Sequence, residues 1–412
     1  MRRRRYPLLA TAGLILFEMA STLWWGPALI GTRHWSVPDD LWTTLVAAQR
    51  LLHGDLAGLY TQPTELISLP GTAVILVPLA GLLELCGISL GSSWAVTAHP
   101  AAWLLAGPYE IAVAAVPLFA ADYIAERRSV TPRRRLFLAM TEAVALWGVT
   151  VRWGHPEDAF AVGLFLYAFA AVYLAPPEGR HRALGRAAWL TGAAIAVQPL
   201  VLLGVPVLLA GTEWRRMPGF LARAALPPAV LLGVAAAANW GATFQAIAHQ
   251  PNFPALNHPT LWTSIAPRMA DGSVATGPAR LIAIAAACGI GLYLRYRGNG
   301  PPDLLWWLAV ALALRSVFEP VMAAYYLWPA LAVALLAATV EGGRFWLTGL
   351  AATTVTLVAQ VGWHGPWSWW VPMLAGLAVT LALARGPRVP PGQPAAESGA
   401  TRMQNGWPER SA

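Results

Sequence analysis

Lysine does not occur in this 412-residue sequence; all 28 basic residues are arginine. A P-loop lysine, a Schiff-base lysine and pyridoxal phosphate chemistry are therefore excluded. Cysteine is nearly as scarce. Cys86 and Cys288 both fall inside apolar runs, so neither a disulfide framework nor a cysteine-rich metal site has a basis. The eight histidines are scattered, with no His-Glu-x-x-His or His-x-His pattern, and no metal site is expected. Charge of either sign is rare at 12%, against about a quarter in soluble domains.

What fills the chain instead is apolar surface, 57% of all residues. Runs of bilayer-crossing length, ~20 residues each, recur from the N-terminus to about residue 384. They predict an all-α polytopic membrane protein, a bundle of 11–13 spans forming one domain over residues 1–385. The proline-, glycine- and serine-rich segment 386–412 reads as a disordered cytoplasmic tail. No direct or inverted repeat is visible, which argues against the two-fold build of many transporters.

The net charge of +8 lies in short loops between apolar runs. It therefore speaks about orientation in a membrane and not about nucleic acid. Arg2 to Arg5 precede an apolar run too long for a cleaved signal, so this run reads as a signal anchor with a cytoplasmic N-terminus. Further arginine clusters at 127–135, 180–186, 215–216, 295–297, 344 and 385–388 mark cytoplasmic turns and a cytoplasmic C-terminus. Parity then places outside the loop 31–67, the Trp153–Asp158 turn, the loop 240–277, the region of Glu319 and the turn at His364. The count closes only if 68–124 crosses three times and 187–211 is a broken hairpin turning at Gln198-Pro199. In the first loop, Leu41, Leu45, Ala48 and Leu52 share a helical face interrupted by Gln49, Arg50, His53 and Asp55, the pattern of interfacial helices.

Polar residues that a membrane chain retains are the candidates for chemistry. Asp39 and Asp40 come first, as a general base or an acceptor-binding carboxylate. The structural alternative makes Asp39 an N-cap and Asp40 a dipole-stabilised neighbour. Next is Arg152-Trp153-Gly154-His155-Pro156-Glu157-Asp158, in which Arg152 and His155 are suited to a phosphate and Glu157 or Asp158 to orienting them; it is also a good helix start. Gln198 before Pro199 marks a helix break, or an interhelical hydrogen bond. His249, Asn257 and His258 lie in a proline-punctuated external loop able to cover a substrate. Inside spans lie Glu18, Glu84, Glu110, Glu142, Arg315 and Glu319; Arg315 and Glu319, four apart, are either an internal ion pair or, for Arg315, a phosphate contact. Tyr325-Tyr326 and most tryptophans read as interfacial belt residues.

The order of these pieces resembles the GT-C membrane glycosyltransferases: one span, an external loop with an acidic residue and interfacial helices, then many spans and a second large external loop. Within that group the chain is similar to the polyprenyl-phosphate-mannose-dependent mannosyltransferases, the phosphatidylinositol-mannoside family. The resemblance rests on Ala48 to Tyr60, Leu69 to Leu79, Gly154-His155 where that family commonly has Gly-Gln, Gln198-Pro199 where it commonly has a lysine near a proline, and Tyr325-Tyr326-Leu327 before a late span. It implies a GT-C-like bundle in the plasma (inner) membrane. It also implies inverting transfer of a mannose-like or arabinose-like sugar from a polyprenyl-phosphate donor to a lipid or cell-envelope glycan acceptor, with no cofactor. In that reading Asp39 or Asp40 is the base, and Arg152, His155, Glu157, Asp158, Gln198, His249, Asn257, His258 and Arg315 serve the donor phosphate and substrates. A transporter or flippase, or an inactive scaffold relative, is the alternative.

Overall fold

The computed structural model describes residues 4–24, 37–61, 66, 68–93, 100–248, 250–275, 277–297, 304–361 and 367–386. His249, the turn at His364, residues 387–412 and part of the first loop, including 31–36, lie outside the described residues. Among the described residues the fold is all-α, with one two-stranded antiparallel sheet in which His258 faces Met322 and Pro259 faces Val321. Four helical stretches among the described residues are long and apolar enough to cross a membrane: Ala101–Arg127, Pro156–Tyr173, Trp214–Ala238 and Ala279–Tyr296. Five shorter apolar helices of 10–17 residues accompany them. By that measure the described residues hold fewer than 11–13 spans. Helices such as Arg180–Val197 begin among arginines, and proline and glycine cut other apolar runs short.

Local sequence sets the boundaries. Pro70, Pro132 and Pro156 each open a helix, where a missing N–H and a fixed φ cost nothing. The core is built from Val116–Arg127, Pro132–Trp147, Pro156–Tyr173, Arg180–Val197, Leu304–Phe318 and Trp328–Glu341. Ala330 to Thr339 of the last are buried on every side, as an all-round apolar helix requires. A second core joins Leu41, Leu45, Ala47 and Ala48 of the Asp39–Leu52 helix to Leu76, Leu79 and Leu83. The expected face of that helix is thus present, except that Leu52 is exposed and the helix stops there.

Among its described residues the stretch 68–124 forms Pro70–Val74, Val77–Leu85, Pro100–Ala114 and most of Val116–Arg127. Its first part forms only Pro70–Val74 and Val77–Leu85, at 1.5 Å per residue each under about 14 Å long, and both pack beside Asp39–Leu52. At 198 the chain does reverse. Gln198 leaves the helix with φ −149° and ψ 116° and touches Asp158. Residues 199–211 then run to Tyr173, whose hydroxyl donates to the carbonyls of Val207 and Leu208 and accepts from Gly211 N–H. Asp158 and Tyr173 lie at opposite ends of one helix, about 22 Å apart, so the chain has passed up and back.

Polar contacts gather at two ends of the bundle. One end holds Arg4, Asp122, Glu126 and Arg135. The other holds the N-terminus of Asp39–Leu52, the 153–158 turn, Gln198, and the second loop pinned to residues 317–322.

Candidate functional site

The 153–158 turn is shaped by its glycine. Pro132–Trp147 runs into a π-helical turn, Gly148–Arg152, and the chain reverses at Gly154 with φ +69°. A Cβ at Gly154 would stand 2.7 Å from Leu41 Cβ and 3.0 Å from Pro38 Cβ. Only glycine gives both that backbone and that approach. The approach presses the turn against the start of the Asp39–Leu52 helix, and two loops far apart in sequence share a seam.

Across the seam His155 bridges two carboxylates. Its Nε2 is 3.1 Å from Asp40 Oδ2 and its Nδ1 2.6 Å from Glu157 Oε1. The Asp40 side chain is 56% exposed, that of His155 14% and that of Glu157 5%, so the line runs from solvent to interior. Tyr325 stacks on the imidazole at 4.2 Å and 24°. Burial pushes the His155 pKa down, but the charge of Glu157 and the hydrogen bonds to Asp40 and Glu157 outweigh it, and the imidazole sits well above its ordinary value. Burial pushes Asp40 up, but the hydrogen bond and charge of His155 prevail and hold its carboxyl below the usual value. Both shifts favour an imidazolium beside an aspartate anion.

Asp158 anchors the adjoining half. Gln198 donates to its Oδ1, and Arg315 Nη1 lies 3.2 Å from its Oδ2. The Arg315 guanidinium sits 3.6 Å from the centroid of the Tyr326 ring, a cation–π contact. Glu157 and Asp158 adjoin in sequence, as do Tyr325 and Tyr326, so the two halves form one cluster. Thr72 Oγ1 donates to the Val197 carbonyl at 2.6 Å. A Cβ on Gly71 would come within 2.2 Å of the Ala196 carbonyl oxygen. That close packing holds the break at Gln198 in place.

Six candidates from the sequence therefore meet: Asp40, His155, Glu157, Asp158, Gln198 and Arg315. Asp39 does not join them. It occupies the first helical position, Pro38 takes the cap position, and no side-chain cap bond forms, so the expectation of Asp39 as N-cap is corrected. Arg152 closes the π turn, exposed, with no hydrogen bond or ion pair among the described residues. Asn257 donates its N–H to the Phe253 carbonyl within its own loop, and buried His258 pairs in the small sheet and stacks on Trp369 at 4.0 Å. The Arg315–Glu319 ion pair does not form, because each has a nearer partner: Asp158 for Arg315, and Arg280 at 3.0 Å for Glu319.

His155, Glu157 and Asp158 bring ligand atoms within 4.8 Å of one another, a convergence that a search for spaced histidines passes over. Their electrostatics suit a cation poorly. Both imidazole nitrogens face carboxylates, Arg315 already neutralises Asp158, and the two acids sit at a helix N-terminus, the positive end of its dipole. We do not assign them as metal ligands. Sequence reasoning also missed Tyr325 and Tyr326; aromatic residues at a membrane-chain turn carry no signal that separates belt from site. No family model, curated protein or solved structure matches this chain.

Proposed function

We propose that this chain is a GT-C-type membrane glycosyltransferase that moves a mannose-like or arabinose-like sugar from a polyprenyl-phosphate donor to a lipid or envelope-glycan acceptor on the non-cytoplasmic face of the inner membrane, with inversion. The reading includes the bundle of 11–13 spans and cytoplasmic termini. The observation that carries it is the contact of a half-exposed carboxylate, Asp40, with the partly buried imidazole of His155, beside a second cluster built around the partly buried Arg315.

Such a reaction needs a base for the acceptor hydroxyl and cations for the departing phosphate. Asp40 takes the hydroxyl proton. The acceptor oxygen forms a bond to the anomeric carbon, whose bond to the phosphate oxygen breaks, and polyprenyl phosphate leaves with the electron pair. Glu157, on the far nitrogen of His155, fixes the ring so that its Nε2 side meets Asp40. Arg315 and the unpaired Arg152 supply positive charge at the phosphate. Asp40, and not Asp39, is the base in this arrangement.

The test is incubation of membranes containing the chain with labelled polyprenyl-phosphate mannose or arabinose and a broad acceptor panel. Transfer that Asp40→Asn abolishes is the expected result. No transfer with any donor, or full activity in both Asp39→Asn and Asp40→Asn, rejects the reading. The reversal at Gln198 favours one second reading, a transporter or flippase with a broken helix along its path. Movement of substrate across proteoliposomes with no covalent product would establish it.

A further inference from the structure

The helices Pro132–Trp147, Trp328–Glu341 and Phe345–Ala359 pack against one another pairwise. Near the arginine-rich end the fit is tight: a Cβ at Gly349 would stand 2.6 Å from Phe137 Cε1. Further along, Ala145, Ala332 and Ala352 bring short side chains to the junction, and a cavity opens between the three helices. Its empty space, mouth included, is about 340 Å³. Trp328 is the first residue of its helix and follows the turn that carries Tyr325 and Tyr326, while Leu357 stands two residues from the end of Phe345–Ala359. The cavity therefore lies toward the end of the bundle that holds His155. Val144 and Leu357, which line it, are exposed, so it opens on the apolar side of the bundle.

Two polar groups line this apolar space, and neither is satisfied. Trp328 is 2% exposed, and its indole N–H is buried with no hydrogen-bond partner. Glu142 is 4% exposed and makes no hydrogen bond or ion pair among the described residues. A buried carboxylate without a cation is far costlier than the neutral acid, so Glu142 carries its proton and has an O–H to donate. The hydroxyl of Thr356, also on the wall, is already engaged with the Ala352 carbonyl at 2.8 Å. In a bilayer no water replaces a missing partner, and idle donors are expensive. An acceptor oxygen on an otherwise apolar molecule, entering from the side, would satisfy both.

We propose that this cavity is a binding site for one chain of a diacyl glycerolipid, whose ester carbonyls accept from Trp328 Nε1–H and from the Glu142 carboxyl. The glycerol esters sit where headgroup meets hydrocarbon, the level at which the helix of Trp328 begins. A bare hydrocarbon would leave both donors idle, and an anionic group would meet no cation among the residues that line the cavity. Trp328 continues the turn whose Tyr325 stacks on His155, so the lipid site and the polar cluster share an element. The inference rests on the chain lying in a membrane and not on sugar transfer.

Native mass spectrometry of the full chain in detergent, with lipid added back, tests it. The probes are phosphatidylethanolamine with two ester-linked chains and its dialkyl ether analogue of equal chain length, which lacks both carbonyls. Wild type is expected to retain one diester lipid and to hold the ether analogue on the order of tenfold less tightly, the effect of losing two hydrogen bonds. Trp328→Phe keeps an aromatic wall and removes the N–H, and should shrink that preference by about threefold. Glu142→Leu should shrink it likewise; where that variant does not fold, Trp328→Phe carries the test. Val144→Trp, a change at the exposed mouth, should release the lipid whatever its linkage. Equal retention of ester and ether lipid by wild type, a preference that Trp328→Phe leaves intact, or undiminished retention in Val144→Trp overturns the inference. So does a fatty acid or hydrocarbon held in place of the glycerolipid. A chain that transfers sugar and shows no ester preference keeps the glycosyltransferase reading and loses this site; one that shows the preference and transfers no sugar does the opposite.

Discussion

The two ends of this bundle each bury acids beside cations, and they do so in opposite styles. At the arginine-rich end, Asp122 is 1% exposed and fully engaged: Arg135 approaches both its oxygens at 2.7 and 2.8 Å, and Arg4 adds a contact at 2.8 Å. Glu126 takes the second nitrogen of Arg4 at 2.7 Å. The clasp ties the first helix to Val116–Arg127 and Pro132–Trp147. At the other end Asp40 is open to solvent, one oxygen of Glu157 has no partner among the described residues, and the imidazole is shared between two acids. A cluster whose only task was to hold helices together would resemble the first. Uneven satisfaction is the mark of groups kept available for a proton or a substrate.

The largest effects should separate the two ends by kind. Asp40→Asn should lower sugar transfer by roughly 100- to 10,000-fold, the range for loss of a general base, while thermal unfolding in detergent barely moves. Asp122→Asn should do the reverse: breaking a buried pair costs about 3–5 kcal/mol, read as a large fall in unfolding midpoint. If Asp122→Asn leaves stability intact, or Asp40→Asn unfolds the chain, the contrast fails.

Gly154→Ala should cost about 1–3 kcal/mol in strain and, through the collision with Leu41 and Pro38, weaken transfer as well. Intermediate loss in both measurements would place the seam between the two styles. Smaller still is the pH effect. His155, raised above 6.5, contributes stability that is complete below that value and fades as pH climbs through its elevated pKa. Asp40, lowered from 3.8, contributes above that value and fades as pH falls through its depressed pKa. The difference in melting temperature between wild type and His155→Gln should therefore stay flat from pH 3.8 to 6.5 and shrink on the alkaline side. A difference that grows with rising pH above 6.5 would contradict an imidazolium. Asp39→Asn should be the mildest change, within about 0.5 kcal/mol for an exposed residue without a buried partner.

Much of this site was legible in the sequence because polar residues are costly in an apolar chain, so those that persist stand out. Asp40, His155, Glu157, Asp158, Gln198 and Arg315 were found that way, and the reversal at Gln198 followed from arginine parity. What was illegible depends on contacts across the fold. The four-residue spacing of Arg315 and Glu319 pointed to each other, yet Asp158 and Arg280 stand nearer. His258 had the chemistry of a ligand residue and serves a stacking role on Trp369. Glu18 and Glu110 are both intramembrane acids that nothing local distinguishes; only the fold shows that the indoles of Trp103 and Trp147, on the helices Pro100–Ala114 and Pro132–Trp147, reach Glu18.

The seam at Gly154 has its own corollary. Because the ion pair spans two loops that no covalent neighbour links, it can be dismantled by separation alone, with every participating atom chemically unaltered. A single methylene of extra width between Leu41 and the turn would leave both charges present, each facing water instead of the other.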